Sequence, residues 1–363
     1  MVWWQIVFLV FSIIMLLPTA ASLSTNDIWW IRFFDFPRIQ LLFLVGLTFI
    51  GFFFVFDLQS WWQILLSALL LFCVLYQIYH IFPYTRFSKK EVLRFSGEEK
   101  DEDFKISFLV SNVFTPNKRS DKLIDLVRDE KPKLFLTLES DKRWENELSV
   151  LEKDYPYSVK VPQDNLYGMH LYSQLPLEEM QVKYLVQDDI PSIHGYVKLT
   201  DEMSIRIHCM HPRPPSPTES ETSTARDAEL LLLGKELKDV HYRTLVFGDL
   251  NDVAWSRTTQ LFHQISGMLD PRIGRGFFNT FHTKYPLFRW PLDHAFHTQD
   301  FTLIDIRRMP SIESDHFPMY VELNYEPSAA KVQREPEAEA EDEEWAEEKI
   351  EKGKPLETTI LGS

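Results

Sequence analysis

Cysteine is nearly absent: Cys73 and Cys209 are the only two in 363 residues. One lies in a long apolar run and the other in an alternating segment far downstream, which excludes a disulfide framework and a thiolate zinc site. Positive charge is also in deficit, with 38 Lys and Arg against 53 Asp and Glu and a formal net charge of −15. Such a balance argues against a chain that coats nucleic acid by bulk charge, although a local basic groove stays open. Three catalytic signatures are missing as well: no His-Glu-x-x-His, no Gly-x-Ser-x-Gly and no phosphate loop of the Gly-x-x-x-x-Gly-Lys type.

What is present is unevenly distributed. Apolar residues make up 45% and charged residues 25%, ordinary for a globular protein, and the length allows about two or three units. Residues 1–100 carry a net charge of +1, residues 101–325 of −9 and residues 326–363 of −7. The first third holds three apolar runs, residues 2–17, 39–56 and 61–82, with no charge other than the titratable His80. A helix needs about 20 apolar residues to cross a bilayer, with a lower limit near 17. The second and third runs meet that limit, and the first does so by borrowing Pro18 and its neighbours. Trp3, Trp4, Trp29, Trp30, Trp61 and Trp62 crowd the ends of the runs, where indole rings anchor at the lipid–water boundary. A cleaved signal peptide is the rival for the first run, but the cationic segment it needs is absent. Residues 1–83 are therefore expected to form three transmembrane helices of a multi-pass protein, in the inner membrane if the source is bacterial. Arg86, Lys89, Lys90 and Arg94 after the third run, with Arg32 and Arg38 before the second, favour a cytoplasmic domain by the positive-inside rule.

Residues 84–103 read as a polar linker. From Phe104 onward short strand-like runs dominate: 106–110, 134–138, 182–186, 195–199, 204–210, 244–247 and 319–324. Helical spacing covers 121–129, with Ser120 as its cap, and 225–238. Strands outnumbering helices suit a layered α+β fold. The interval 212–224, rich in Pro, Ser and Thr, is a long loop leaving a strand end. Residues 327–363, dominated by Glu and Ala, are expected to be a disordered acidic tail.

Polar residues of catalytic type sit where these strands end. Asn112 follows the first, Glu139 the second and His211 the strand 204–210; Asp249 and Asn251 follow 244–247; Asp293 follows Trp290-Pro-Leu, and the pair Asp315-His316 precedes the final strand. Taken singly each is unremarkable, since an Asp-His pair is most often a cap or surface feature and a Gly-Asp step is most often a turn. The ordered set changes the reading, because loops at strand ends are where a rigid scaffold presents reactive groups.

That set resembles the endonuclease/exonuclease/phosphatase superfamily, the fold of pancreatic-type deoxyribonucleases, abasic-site endonucleases, inositol-polyphosphate 5-phosphatases and neutral sphingomyelinases. The resembling stretches are Ile106-Ser-Phe-Leu-Val-Ser-Asn112, Leu134-Phe-Leu-Thr-Leu-Glu139, Tyr167-Gly-Met-His-Leu-Tyr-Ser173, Ile207-His-Cys-Met-His211, Leu245-Val-Phe-Gly-Asp249-Leu-Asn251, Trp290-Pro-Leu-Asp293 and Ser314-Asp315-His316. Within the superfamily the chain looks most like a bacterial membrane-linked branch, through Leu269-Asp-Pro-Arg-Ile-Gly-Arg-Gly276 and Asp249-Leu-Asn-Asp-Val-Ala-Trp-Ser256.

The resemblance implies a four-layered α/β/β/α sandwich over residues 104–326, two packed mixed sheets flanked by helices, with three transmembrane helices before it. It implies hydrolysis of phosphodiester bonds in a nuclease-like manner, assisted by magnesium, with manganese as an alternative. Glu139 would be the principal metal ligand, supported by Asn112 and Asp315. His316, oriented by Asp293, would act as base or stabilise charge; Asp249 would position or deprotonate the attacking water. Asn251 and His211 would hold phosphate oxygens, and Arg272 and Arg275 are further candidate phosphate contacts, because guanidinium forks suit phosphate. Lys133, His170 and Gln174 depart from the family pattern, and the last would weaken substrate binding near Ser173. The partners implied are a phosphoester substrate, nucleic acid or lipid head group, and the lipid bilayer, with no obligate protein partner. A phospholipid, phosphoinositide or sphingomyelin-type phosphoesterase is the alternative activity, and a catalytically inactive membrane scaffold the alternative of another class.

Overall fold

The computed structural model describes residues 2–97, 102–238 and 242–354. Helices α1 (Trp3–Ile14) and α2 (Leu17–Leu23) run together through Pro18, a short α3 (Trp29–Arg32) follows, and α4 (Arg38–Val55) and α5 (Trp61–Ile81) form an antiparallel pair. Three stretches, Trp3–Leu23, Arg38–Val55 and Trp61–Tyr84, are long and apolar enough to cross a membrane. Their outward surfaces expose large apolar side chains, among them Phe43, Phe54 and Trp61, as a lipid-facing helix requires.

The remainder is built on two mixed sheets. Strands β1 (Lys105–Asn112), β2 (Leu134–Leu138), β3 (Tyr157–Val161), β4 (Met169–Ser173), β10 (Phe301–Arg308) and β11 (Met319–Tyr325) form the first, in the order β10-β11-β1-β2-β4-β3. Strands β5 (Leu177–Lys183), β6 (Ser192–Thr200), β7 (Met203–Met210), β8 (Thr244–Asp249) and β9 (Asp293–His297) form the second, in that order. Among the named strands, β1–β2 and β7–β8 pair in parallel and the other neighbours antiparallel. All five residues of β2 are buried, because its sheet is covered on both faces. Between the sheets lies one apolar core, in which Phe108 stacks on Phe247 at a centroid distance of 4.6 Å.

Helices α6 (Ser120–Glu130) and α7 (Lys142–Leu148) cover the outer face of the first sheet with Leu123, Val127, Trp144 and Leu148. Helices α8 (Thr224–Leu237) and α9 (Arg257–Ser266) cover the second with Leu230, Leu233, Leu237 and Phe262. The expected four layers are therefore present. Asp141 caps α7 by accepting from the Trp144 N–H at 2.8 Å, and Ser256 caps α9 in the same manner. Helix α6 starts at Ser120 itself, with Arg119 in the cap position and no side-chain cap, so the expected Ser120 cap is not made.

Two boundaries differ from expectation. The described part of residues 84–103 is no free linker: Val92 is fully buried in the main core, and the Phe95 N–H donates to the Leu303 carbonyl, adding a short rung beside β10. In the acidic tail, residues Ala340–Gly353 form a helix, α10, packed on α8 and α9. Ala346 and Ile350 supply its apolar stripe, and Lys349 donates to Asp227 at 2.9 Å and also to Asp27. Residues 355–363 of the expected tail lie outside the described residues.

The apolar helices are fastened to the sandwich. Asp35 is paired with Arg38 at 2.7 Å and Arg32 at 3.2 Å, and its carbonyl accepts from Trp255 Nε1 at 2.8 Å. Tyr84 donates to the Ala254 carbonyl at 2.6 Å, and the Trp29 and Ser223 N–H groups bond to Glu221 and Asp27 carbonyls, each at 2.9 Å. Ile81, Tyr84, Trp255, Trp290 and Leu292 close an apolar contact beneath these bonds.

Candidate active site

The topology alone gathers the polar strand ends. The C-terminal ends of the parallel pairs β1–β2 and β7–β8 lie at one edge of the sandwich, and the antiparallel strands β9 and β11 begin there. Asn112, Glu139, His211, Asp249, Asn251, Asp293 and His316 thus meet although they span more than two hundred residues of chain. Asp249 and Asp293 are direct cross-strand partners. Glu139 and Asn251 both take left-handed backbone, at φ 58° and 51°, turning the chain sharply at the strand ends.

His316 is the hub. Its Nδ1 lies 2.9 Å from Asp293 Oδ2 and its Nε2 3.4 Å from Asp249 Oδ2. Burial alone would pull the imidazole's pKa down, but the two carboxylates outweigh it and push it up to about 10, so the ring is held as an imidazolium. His211, equally enclosed, shows the opposite: burial, aided by the charge of His316 and opposed by Asp249, brings it down to about 4 and keeps it neutral. Its ring stands 5.3 Å from that of Tyr167, which is itself flanked by the Arg213 guanidinium. Burial raises Asp249 against the pull of His316. The Asn251 N–H donates to Asp249 Oδ1 at 2.9 Å and so fixes the carboxylate plane.

Glu139 and Asn112 form the adjoining half. Asn112 Nδ2 donates to Glu139 Oε1 at 2.8 Å and to Asp249 Oδ2 at 3.2 Å, standing between two carboxylates where a cation would be at home. Glu139 Oε2 is buried with no hydrogen-bond partner, and burial pushes the carboxyl up to about 7. An unpartnered buried carboxylate oxygen facing Asp249 and Asp315 suits a hard divalent cation, which takes oxygen ligands and keeps several waters. A second grouping, Asp249, Asp293 and His316, offers one ligand atom each within 4.8 Å of one another. There both ring nitrogens are already committed to carboxylates, so the Glu139 side is the better fit. Asn112 would have to turn its amide over to offer oxygen, since its Oδ1 now accepts from the Phe114 N–H at 3.1 Å. Asp315 is half-buried at the rim, held by Ser314 Oγ at 3.2 Å.

Two expected contacts are not there. Arg272 is 1% exposed and clamps Asp270 at 2.7 Å, His294 Nδ1 at 2.7 Å and the Asp293 carbonyl at 3.1 Å. It is a strut behind Asp293, buried and with four of its five N–H donors spent on protein groups. Arg275 donates to the Pro271 carbonyl at 3.1 Å and to that of Val92, away from the cluster. The departure at Gln174 is likewise remote: Ser173 pairs with Leu134, at the opposite end of β2 from Glu139. Lys133 sits at that same far end, bonded to the Lys105 carbonyl at 2.7 Å. His170, paired with Thr137 in the sheet, is fully buried.

Sequence reasoning also missed several supports. Arg226 on α8 reaches Asp252 at 3.2 Å and the Asn251 carbonyl at 2.9 Å, pinning the loop after β8. Phe281 covers one face of His316 at 4.9 Å, and Thr280 Oγ1 accepts from the Asp293 N–H at 3.3 Å. An arginine inside a helix and a threonine in a loop carry no local signal of such roles.

A sequence model of the endonuclease/exonuclease/phosphatase family matches residues 109–316, more than half of the chain. The chain belongs to the endonuclease/exonuclease/phosphatase family. The fold agrees with solved structures. The catalytic domain of human Nocturnin with bound sulfate has a TM-score of 0.51 at 13% identity, covering 66% of this chain and 98% of that one. D. rerio TDP2 complexed with single-strand DNA product has a TM-score of 0.50 at 15% identity, covering 61% and 99%. A functionally unknown conserved protein from Enterococcus faecalis V583 has a TM-score of 0.50 at 16% identity, covering 61% and 100%. No curated protein matches the chain. At these identities the likeness is one of fold; members of the family are hydrolases of phosphoester bonds and depend on divalent metal, and this chain carries residues able to hold one.

Proposed function

We propose that this chain is a membrane-anchored, divalent-metal-dependent phosphoesterase that hydrolyses phosphodiester bonds. The observation that carries the reading is the linked set Asp293–His316–Asp249–Asn112–Glu139, buried at a strand-end edge with a partnerless carboxylate oxygen at each end, Asp293 Oδ1 and Glu139 Oε2. A divalent ion held by Glu139, with Asn112 and Asp315 beside it, would polarise a phosphoryl oxygen and steady the leaving oxygen. Asp249, its plane fixed by the Asn251 N–H, orients the attacking water. His316, charged by its two carboxylates, places a fixed positive group against the phosphoryl centre, and Asp293 holds the ring in that orientation. Neutral His211 faces the same centre as a hydrogen-bonding group for phosphate oxygen.

A nuclease-like substrate follows from the resemblance, and a lipid head group from a specific observation. Of the loops either side of the cluster, one is bonded to the segment between the first and second apolar helices and the other to the first turn of the second helix. Residue 222 of one loop bridges Ile28, and the Leu287 carbonyl of the other accepts from Gln40. Tyr285, Leu287 and Phe288 are exposed at the tip of that second loop, one turn from where α4 becomes wholly apolar. With the helices in a bilayer, that rim rests at the lipid surface. The positive charges flanking the helices favour the cytoplasmic side, and protease access to residues 327–363 in sealed vesicles tests it.

The test of substrate class is a panel in reconstituted vesicles: single- and double-stranded DNA and RNA, bis-p-nitrophenyl phosphate, phosphoinositides and sphingomyelin, each with magnesium and with chelator. Turnover of the bilayer substrates alone assigns the lipid reading, and turnover of polynucleotide alone assigns the nuclease reading. Silence across the panel with magnesium and manganese defeats the enzyme assignment and leaves the scaffold.

A further inference from the structure

Arg275, which takes no part in the catalytic cluster, opens on a different feature. With Arg86, Lys90 and Arg94 it lines a cavity of about 370 Å³ beside β10, at the membrane-proximal end of the sandwich. The carboxylate in this lining, Asp305, is already engaged by Arg307 Nε. Arg307 in turn is held by Glu130 at 2.6 Å. Arg86, Lys90 and Arg94 make no ion pair among the described residues, so four cations converge with their natural counter-charge spent elsewhere. The crowding has an electrostatic signature, in that burial and the charge of Arg94 both lower the pKa of Arg275.

The cavity is built by close backbone packing. Gly274, at φ +74°, presses against the Lys90 backbone so tightly that a Cβ there would lie 2.7 Å from Lys90 Cα, and its N–H donates to the Pro83 carbonyl at 2.8 Å. The two segments that carry Lys90 and Arg275 are thereby fixed side by side. Pro83 and Tyr84 end the third apolar stretch, so Arg86 emerges where head groups lie. From Arg86 and Arg275 the cavity continues into a groove of about 970 Å³ whose walls include Tyr84, Phe87, Phe277 and Met309. Phe87 is 90% exposed, an apolar ring with no protein cover at the level of the bilayer surface.

We propose that this cavity binds the phosphate of an anionic phospholipid from the adjoining leaflet, with the lipid's apolar part along the groove. Juxtamembrane cations attract acidic lipids generally. Here the cations surround a volume suited to a head group, and the groove that continues from it offers Phe87, Phe277, Phe278 and Met309 to an acyl chain beside the polar Glu130, Arg307 and Arg308. The inference rests on the membrane-anchored reading and is independent of catalysis, so its test reads binding.

The experiment uses the full chain in neutral detergent, titrated with short-chain phosphatidylglycerol, short-chain phosphatidylcholine and inorganic phosphate. Occupancy is followed by native mass spectrometry and by the shift in melting temperature. Phosphatidylglycerol is expected to bind at least about tenfold more tightly than the other two, and the combined Arg86→Gln, Lys90→Gln, Arg94→Gln chain to lose that preference. Lys89→Gln removes a neighbouring charge outside the cavity and is expected to change nothing. An unchanged melting temperature without lipid, and unchanged phosphoesterase turnover, show that the triple variant is folded. Equal binding of inorganic phosphate overturns the lipid source. Equal binding of phosphatidylcholine, or a loss in Lys89→Gln as large as in the triple variant, overturns the site.

Discussion

Glu229 lies on the inner side of α8, 1% exposed, with Oε1 lacking any hydrogen-bond partner and no ion pair among the described residues. Burial pushes its carboxyl from the ordinary 4.5 up to about 8. The folded chain therefore keeps Glu229 protonated at neutral pH, while the unfolded chain releases that proton to water. The sign follows: wild-type stability is undiminished below about pH 4.5 and falls as pH rises toward 8. Each pH unit in that window removes about 1.36 kcal/mol, so at pH 7 the penalty has a ceiling of roughly 3 kcal/mol. Glu229→Gln keeps the shape and removes the titration. It should stabilise the chain at pH 7 by up to that amount, or roughly 6–12 °C in melting temperature, with the gain shrinking to nothing near pH 4.5. Thermal unfolding of both chains across pH 4.5–8, followed by circular dichroism, reads it directly. A gain that does not vary with pH, or a variant less stable than wild type at pH 8, refutes the reasoning.

Other consequences are as specific. Asp293→Asn leaves His316 with the wrong partner on Nδ1 and should lower kcat by about 10²–10⁴ with little change in KM, the range for a positioned acid–base group; a loss confined to KM would contradict the orienting role. Lys349→Met strips one cation from buried Asp227, whose carboxyl burial raises but Arg226 and Lys349 bring down to about 2. Breaking a buried pair costs about 3 kcal/mol; in the wild type the contribution of Asp227 fades as pH falls through about 2, and without Lys349 it should fade at a higher pH, both visible in denaturant melts. Arg272→Lys keeps the charge but loses the fork that spans Asp270, His294 and Asp293, so turnover should drop while magnesium affinity is retained; equal turnover would remove Arg272 from the site's support.

Most of the candidate cluster was legible because Asn112, Glu139, His211, Asp249 and Asn251 sit at or just beyond the ends of strands whose alternation or apolar run is visible in the chain, whereas strand β9, which begins at Asp293, carries no such run. Asn112, Glu139 and Asp249 terminate β1, β2 and β8, and parallel pairing of neighbours places those ends together. The edges of the sheets were less legible. Strand β3 reads Tyr-Ser-Val-Lys-Val and is half exposed at the rim of its sheet, so no apolar face announces it, and β10 carries a bulge between Leu303 and Asp305 that breaks its alternation. The tail failed as a compositional reading for a related reason. Glu and Ala dominate residues 340–353, and the helix depends on Ala346, Ile350 and one lysine meeting Asp27 and Asp227, partners over a hundred residues away. Arg272 and Arg275 show the same limit from the other side: a guanidinium in a loop is a phosphate contact or a strut according to which carboxylate folds beside it. In Arg272 that carboxylate is Asp270, two residues away.

Hydrolysis by this chain should need both a divalent ion and Glu139. Initial rates on bis-p-nitrophenyl phosphate should be measured for the full wild-type chain and for Glu139→Gln of matched melting temperature, over a magnesium titration with a chelated control. The wild type should turn over only with metal, and the variant should lose at least about a hundredfold at low magnesium with partial recovery at high magnesium. Turnover indifferent to chelator, or a variant as active as wild type at every magnesium concentration, would contradict the claim.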